Sequence, residues 1–147
     1  MAKMMSQRAD KSAVHRIARA GLRPTAARVA ILESLDATCD HPTADELAAR
    51  LGAQGRRIGR ATVYQNLDKL AEAGVITSLT SSDGLRRFDA TLEPHQHFVC
   101  TESGRIYDVQ VDPELLKKLK PIDPATGKPM KGAMVGEVRI QFVGAKR

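Results

Sequence analysis

Residues 61–74 read ATVYQNLDKLAEAG, with Val63, Leu67, Leu70 and Ala71 on one helical face and Gly74 placed to end the helix. The face opposite those apolar positions carries Arg60, Thr62, Tyr64, Gln65 and Lys69. Immediately upstream lies GRRIGR (55–60), a connector rich in glycine and arginine. Immediately downstream, Val75–Thr80 and Leu85–Phe88 have strand character around the turn sequence SSDG (81–84). A helix with a basic approach and a following hairpin is the signature of a winged helix-turn-helix.

The segments before this helix complete the pattern. Thr43 and Glu46 have capping-box spacing, and Asp45 suits the positive end of the helix dipole. The spacing predicts a helix burying Leu47, Ala48 and Leu51 and ending at Gly52. Thr25 opens an earlier helix with Val29, Leu32 and Leu35 as its stripe, while Val14, Ile17, Ala18 and Leu22 line a first one that Gly21 ends.

The second half changes character. His97–Cys100 and Arg105–Val109 read as a hairpin around TESG (101–104), and Pro113 starts a short helix with Leu115, Leu116 and Leu119 apolar. Residues 120–134 hold three prolines and two glycines and are expected to be irregular. Val138, Ile140 and Phe142 alternate with polar residues, which predicts a half-buried strand over Val135–Val143. The fold class is therefore α+β: a winged helix over 1–88, a hinge at 89–94 and a small α/β domain over 95–147.

Charge follows the same division. Residues 1–88 carry 14 Lys/Arg against 9 Asp/Glu, and residues 89–147 carry 9 against 8. Eleven of the N-terminal cations are arginine, whose fork suits phosphate and guanine. On this reading Arg56, Arg57 and Arg60 hold the DNA backbone, with Arg86 and Arg87 reaching phosphate from the wing. Thr62 and Tyr64 suit phosphate or thymine methyls, Gln65 suits adenine, and Lys69 extends the same face. An ordinary solvated helix face, with Tyr64 packed beside the core, is the competing reading. No stretch approaches the ~20 apolar residues of a membrane span, and the first residues lack the apolar run of a secretory signal. Two cysteines, Cys39 and Cys100, make neither a disulfide framework nor a cysteine zinc site, so a cytoplasmic protein is expected.

His95 and His97 alternate along one strand edge and so project to one face. A turn over 101–104 pairs Cys100 with Arg105 and His97 with Asp108, which adds a carboxylate to that face. Asp89 lies in the hinge and His41 at a helix start, giving three imidazoles and two carboxylates. Such a set suits Fe(II) or Mn(II) at least as well as tetrahedral zinc. Each piece also has a plainer reading as a surface pair, a loop histidine or a hinge cap. His15 has no matching partner and reads as an ordinary helix residue. A small metalloenzyme and a metal-free winged helix are the other classes open at this point, although no separate nucleophile or general base accompanies the cluster.

HPTADELAARL, ATVYQNLDKLAEAGVI, RRFDA and PHQHFVCTESGRIYDV, in this order, resemble the ferric uptake regulator (Fur) family over roughly residues 10–110. Within the family the likeness is to peroxide-sensing regulators of the PerR type. The resemblance implies a homodimer that binds an inverted-repeat DNA operator, an α/β dimerisation domain, and a non-enzymatic repressor switched by metal. It implies that His41, Asp89, His95, His97 and Asp108 hold one regulatory Fe(II) or Mn(II), with peroxide oxidising a ligand histidine when iron is bound. A manganese- or iron-uptake regulator without peroxide sensing is the alternative within the family. The family's structural zinc uses two Cys-x-x-Cys pairs, but here Ser103 stands where Cys100 would find its partner, so the resemblance implies no structural zinc. The sequence also has no histidine after His97 for the family's auxiliary metal site.

Overall fold

The computed structural model describes residues 12–38, 40–93 and 95–146, so Cys39 and the hinge residue Pro94 lie outside the described residues. Among the described residues four helices lead: α1 (Ala13–Arg19), α2 (Ala26–Asp36), α3 (Ala44–Ala53) and α4 (Arg60–Glu72). A two-stranded wing follows, β1 (Thr77–Thr80) and β2 (Arg86–Asp89). Then come β3 (Gln96–Cys100), β4 (Ile106–Val109), α5 (Pro113–Lys118), β5 (Ile122–Asp123), β6 (Lys128–Pro129) and β7 (Gln141–Gly144).

Local chemistry sets the helix ends. Thr43 accepts from the Glu46 amide while the Glu46 carboxylate accepts from the Thr43 amide, which completes the capping box. Thr25 caps α2 by accepting from the Arg28 amide alone. Helix α3 runs one residue past Gly52, and the left-handed residue that turns the chain is Gly55 (φ 75). Gly74 (φ 72) does the same after α4, where a side chain would strain the backbone.

The four helices and the wing close around one core. Ile17, Ile31, Leu32, Leu47, Leu51, Val63, Leu67, Leu70 and Ile76 are buried there, with Phe88 of the wing against them. Burial of each such side chain contributes about 1.5–3 kcal/mol. The stripe expected on α1 is rotated: Ala13 and Ile17 face inward, whereas Val14 is exposed. On α2 the adjacent Ala30 and Ile31 join Leu32 and Leu35, because α4 and α3 cover that helix from two sides.

In the wing, antiparallel pairing runs from Thr77↔Asp89 to Thr80↔Arg86. In the second half β3 is central in the order β4-β3-β7. Strands β3 and β4 pair antiparallel with His97 opposite Asp108, the register expected from the four-residue turn. Strand β7 pairs parallel with β3, from His97↔Gln141 to Cys100↔Gly144. Two expectations are corrected here. Residues 120–134 are not wholly irregular, because β5 and β6 form a short hairpin around residues 124–127. The strand expected over Val135–Val143 is confined to Gln141–Gly144; Val138 and Ile140 are half-buried but precede the ladder, and Val135, Phe142 and Val143 are exposed.

Candidate metal centre

Five donor side chains from both halves of the chain meet beside the wing. One donor atom from each of His41, Asp89, His95, His97 and Asp108 lies within 4.8 Å of every other. His41 arrives from the start of α3, Asp89 from the end of β2, His95 and His97 from the edge and body of β3, and Asp108 from β4. The wing strand β2 thus delivers a ligand-type carboxylate to imidazoles carried by β3.

The distances describe a cluster that faces inward on itself. His41 Nε2 stands 3.2 Å from Asp89 Oδ2 and 2.9 Å from Asp108 Oδ1. His95 Nε2 stands 2.9 Å and 3.3 Å from the same two oxygens. His97 Nε2 is 3.8 Å and 3.7 Å from them, and its ring lies edge-on to those of His41 and His95. His97 Nε2, with both oxygens beyond hydrogen-bond reach, and Asp108 Oδ1 are buried and have no hydrogen bond. Buried polar atoms without partners are uncommon and costly. Unpaired donor atoms gathered this closely fit a cation between them.

The opposite ring edges are fixed from outside. His41 Nδ1 lies 3.1 Å from the Ile106 carbonyl, and His95 Nδ1 lies 2.7 Å from the Glu93 carbonyl. A carbonyl only accepts, so each Nδ1 carries a proton and Nε2 is the atom that faces the cluster. Asp89 Oδ1 accepts from the Thr91 amide at 2.8 Å, which turns Oδ2 toward the imidazoles. Burial opposes the charge on His41, but Asp108 and Asp89 outweigh it and hold that ring's protonation up to about 9. Contact with Asp108 and then Asp89 raises His95 to about 10 against its burial. Burial disfavours the charge of Asp89 and Asp108, yet the imidazoles beside them keep both carboxyls well below the usual range. Without a cation, two imidazolium–carboxylate pairs hold the cluster together. A divalent cation carries the same charge as the two protons it would displace.

The residues expected at DNA are mostly exposed. Arg56, Arg57, Arg60, Thr62, Gln65 and Lys69 are exposed, and Tyr64 is exposed beneath the Arg60 guanidinium, 5.5 Å from its ring centre. Several cations are paired within the chain: Arg56 with Glu33, Arg60 with Asp45, and Arg86 with Asp68. Surface pairs of this kind are weak and leave the cations available to phosphate. Arg87 is the correction. Strand alternation points it away from Arg86 and into the protein, where its side chain is only 7% exposed and its guanidinium is surrounded by acceptors.

The sequence reading missed groups that have no side-chain signature. The Ile106 and Glu93 carbonyls that set the imidazole edges belong to that class. His41 has φ 47, a left-handed conformation uncommon outside glycine. Gln96, between the two β3 histidines, is buried and accepts the Ile140 amide, tying the approach to β7 onto the ligand strand.

Comparison with known proteins agrees with this architecture. The peroxide-responsive repressor PerR of Staphylococcus aureus is 40% identical over 91 residues, which spans 62% of this chain and 62% of that relative's length. The Vibrio cholerae ferric uptake regulator superposes with a TM-score of 0.71 at 27% identity, covering 90% of this chain and 98% of that one. The Pseudomonas aeruginosa ferric uptake regulator, solved with manganese, superposes at 0.73 and 27% identity, covering 93% and 99%. The Vibrio cholerae regulator has DNA-binding domains, and the family is one of regulators, not enzymes. The ferric uptake regulator family pattern matches residues 19–129, and the chain belongs to that family.

Proposed function

We propose that this chain is a metal-dependent transcriptional repressor acting in the cytoplasm as a homodimer on an inverted-repeat DNA operator. The observation that carries the reading is the convergence of five donor atoms, drawn from both sides of the 89–94 hinge, within 4.8 Å. Residues 1–88 read DNA through Arg56, Arg57, Arg60, Thr62, Tyr64, Gln65, Lys69 and Arg86. Residues 95–147 dimerise, and the hinge between them carries the switch. Among the described residues no helix is long and apolar enough to cross a membrane.

His41, Asp89, His95, His97 and Asp108 hold one Fe(II) or Mn(II) per chain, and the nitrogen–oxygen donor set suits either ion. Bound iron supplies the redox chemistry by which peroxide oxidises an imidazole, whereas manganese gives a repressor that peroxide does not inactivate. His41 belongs to the DNA-binding half, so its engagement with His95 and His97 opposes swinging about the hinge. That constraint presets the separation of two α4 helices in a dimer, and metal and DNA binding become reciprocally linked. Loss of either imidazole as a donor releases the constraint. The sequence breaks the Cys-x-x-Cys pattern at Ser103, which supports the lack of a cysteine zinc site there.

The test selects duplexes from a random pool with Mn(II)-loaded protein, then measures affinity for the selected duplex with apo, Mn(II) and Fe(II) protein, before and after peroxide. Tight binding with either metal, lost with iron after peroxide, is the expected result. A gain of about 16 Da, one oxygen atom, on His41 or His95 should accompany that loss. Peroxide-insensitive binding with iron would instead identify a manganese- or iron-uptake regulator. Affinity unchanged by Mn(II) and by chelator would sink the metal-dependent reading.

A further inference from the structure

Arg87 is a buried cation with an unusual set of partners. Its Nε donates to Ser81 Oγ at 3.1 Å, and Nη1 donates to the His41 carbonyl at 3.2 Å and to Glu46 Oε2 at 3.3 Å. Nη2 donates to Asp83 Oδ2 at 3.4 Å. A guanidinium withdrawn from water needs partners on several sides, and its planar fork serves directions that a lysine ammonium cannot serve together.

His41 gives this arrangement its consequence. Its left-handed backbone (φ 47) is a conformation that persists only where surrounding contacts over-determine it. Arg87 holds the His41 carbonyl, the Phe88 amide donates to the next carbonyl, Pro42, at 3.0 Å, and Thr43 bridges to Arg87. Arg87 and Asp89 alternate onto the same side of β2. One strand therefore grips His41 twice, Arg87 at its carbonyl and Asp89 Oδ2 at its imidazole. The fork also reaches Asp83 in the wing turn, and a Cβ at Gly104 would lie 3.0 Å from Asp83 Oδ2. The wing turn thus packs against the turn that joins the strands carrying His97 and Asp108.

We propose that Arg87 is a positioning residue for the metal cluster: it fixes the backbone of His41, aims its Nε2 at the other four donors, and links the wing turn to the site. The inference rests on reading the five clustered residues as metal ligands, and it replaces the phosphate contact expected for Arg87 from sequence.

The test uses the full chain and Mn(II) alone, with free Mn(II) counted by its electron paramagnetic resonance signal. Co(II) absorption reports donor geometry, and far-UV circular dichroism reports folding. Arg87→Ala should weaken Mn(II) binding by about tenfold to a hundredfold, as loss of outer partners of a metal ligand does, and should alter the Co(II) bands. Arg87→Lys should recover only part of the affinity, because charge returns without the fork. Wild-type Mn(II) affinity and Co(II) spectra in both variants would overturn the proposal. Should Arg87→Ala fail to fold, Arg87→Lys decides alone by the same criterion. Failure of the wild-type chain to take up one Mn(II), or full binding by His97→Ala, would instead overturn the ligand reading itself.

Discussion

The two halves of the chain bury their apolar side chains to very different degrees. In the first, Ile17, Leu47, Leu51, Val63, Leu67 and Leu70 are completely enclosed by the four helices and the wing. In the second, Leu115, Leu119, Ile122, Met130, Val135, Phe142 and Val143 are all substantially exposed, and α5 has no buried residue. The first half encloses most of its large apolar side chains, and the second leaves many of its own exposed. Exposed apolar side chains of this kind would supply contacts in the proposed dimer.

The largest test of this contrast is to disturb each half in turn. Leu67→Ala should cost about 2–5 kcal/mol in urea unfolding, by an amount that does not depend on protein concentration. Phe142→Asp should act through self-association, lowering the mass seen by analytical ultracentrifugation and removing the concentration dependence of the melting temperature. If both variants behaved alike at all concentrations, the division between a self-sufficient and a partner-dependent half would be wrong.

Next in size is the metal that would join the halves. Mn(II) at a hundred times its dissociation constant should add about 2.7 kcal/mol of stability, read as a rise in melting temperature. His97→Ala should lose most of that gain while keeping its far-UV circular dichroism, and an undiminished gain would remove His97 from the ligand set.

The pH dependence sharpens the same point. His41 and His95 ordinarily titrate near 6.5 but are raised to about 9 and about 10 here. Their pairing therefore stabilises the metal-free protein fully below the ordinary value and is lost as pH rises through the raised ones. Asp89 and Asp108 are shifted downward, so their contribution is present above the ordinary carboxylate value of 3.8 and is lost as pH falls. A metal ligand must shed its proton, so the Mn(II) increment should grow between about pH 6 and about pH 8 while metal-free stability declines. Parallel curves with and without Mn(II) would contradict displacement of protons by the ion.

The smallest effects belong to the DNA-facing surface. Gln65→Ala should cost about 1–3 kcal/mol at one base position of the selected duplex. Arg57→Ala should instead weaken all sequences similarly and reduce the log–log salt slope by about one. The reverse pattern would exchange the roles of base reader and backbone anchor.

Much of this architecture was legible because its determinants are local. Thr43 and Glu46 announce a helix start three residues apart, and a four-residue turn after Cys100 is sufficient to set His97 opposite Asp108. The burial of Arg87 has no local signature, because besides Ser81 and Asp83 its partners are the His41 carbonyl and Glu46, 46 and 41 residues away. The left-handed backbone of His41 is equally invisible in sequence, since tertiary contacts impose it on a residue type that does not require it. Strand β7 was overextended because alternation predicts which face a residue takes, but pairing with β3 decides where the ladder starts.

That pairing has a consequence in time. Strand β3, bearing His95 and His97, finds its antiparallel neighbour within a few residues, but its other edge stays open until residues 141–144 return to it. Closing such a long loop is entropically costlier and slower than closing the hairpin. During synthesis the helical half is complete while β3 still lacks one flank. Competence to respond to metal is thus expected to mature last, so a chain that answers the ion is also one that has finished folding.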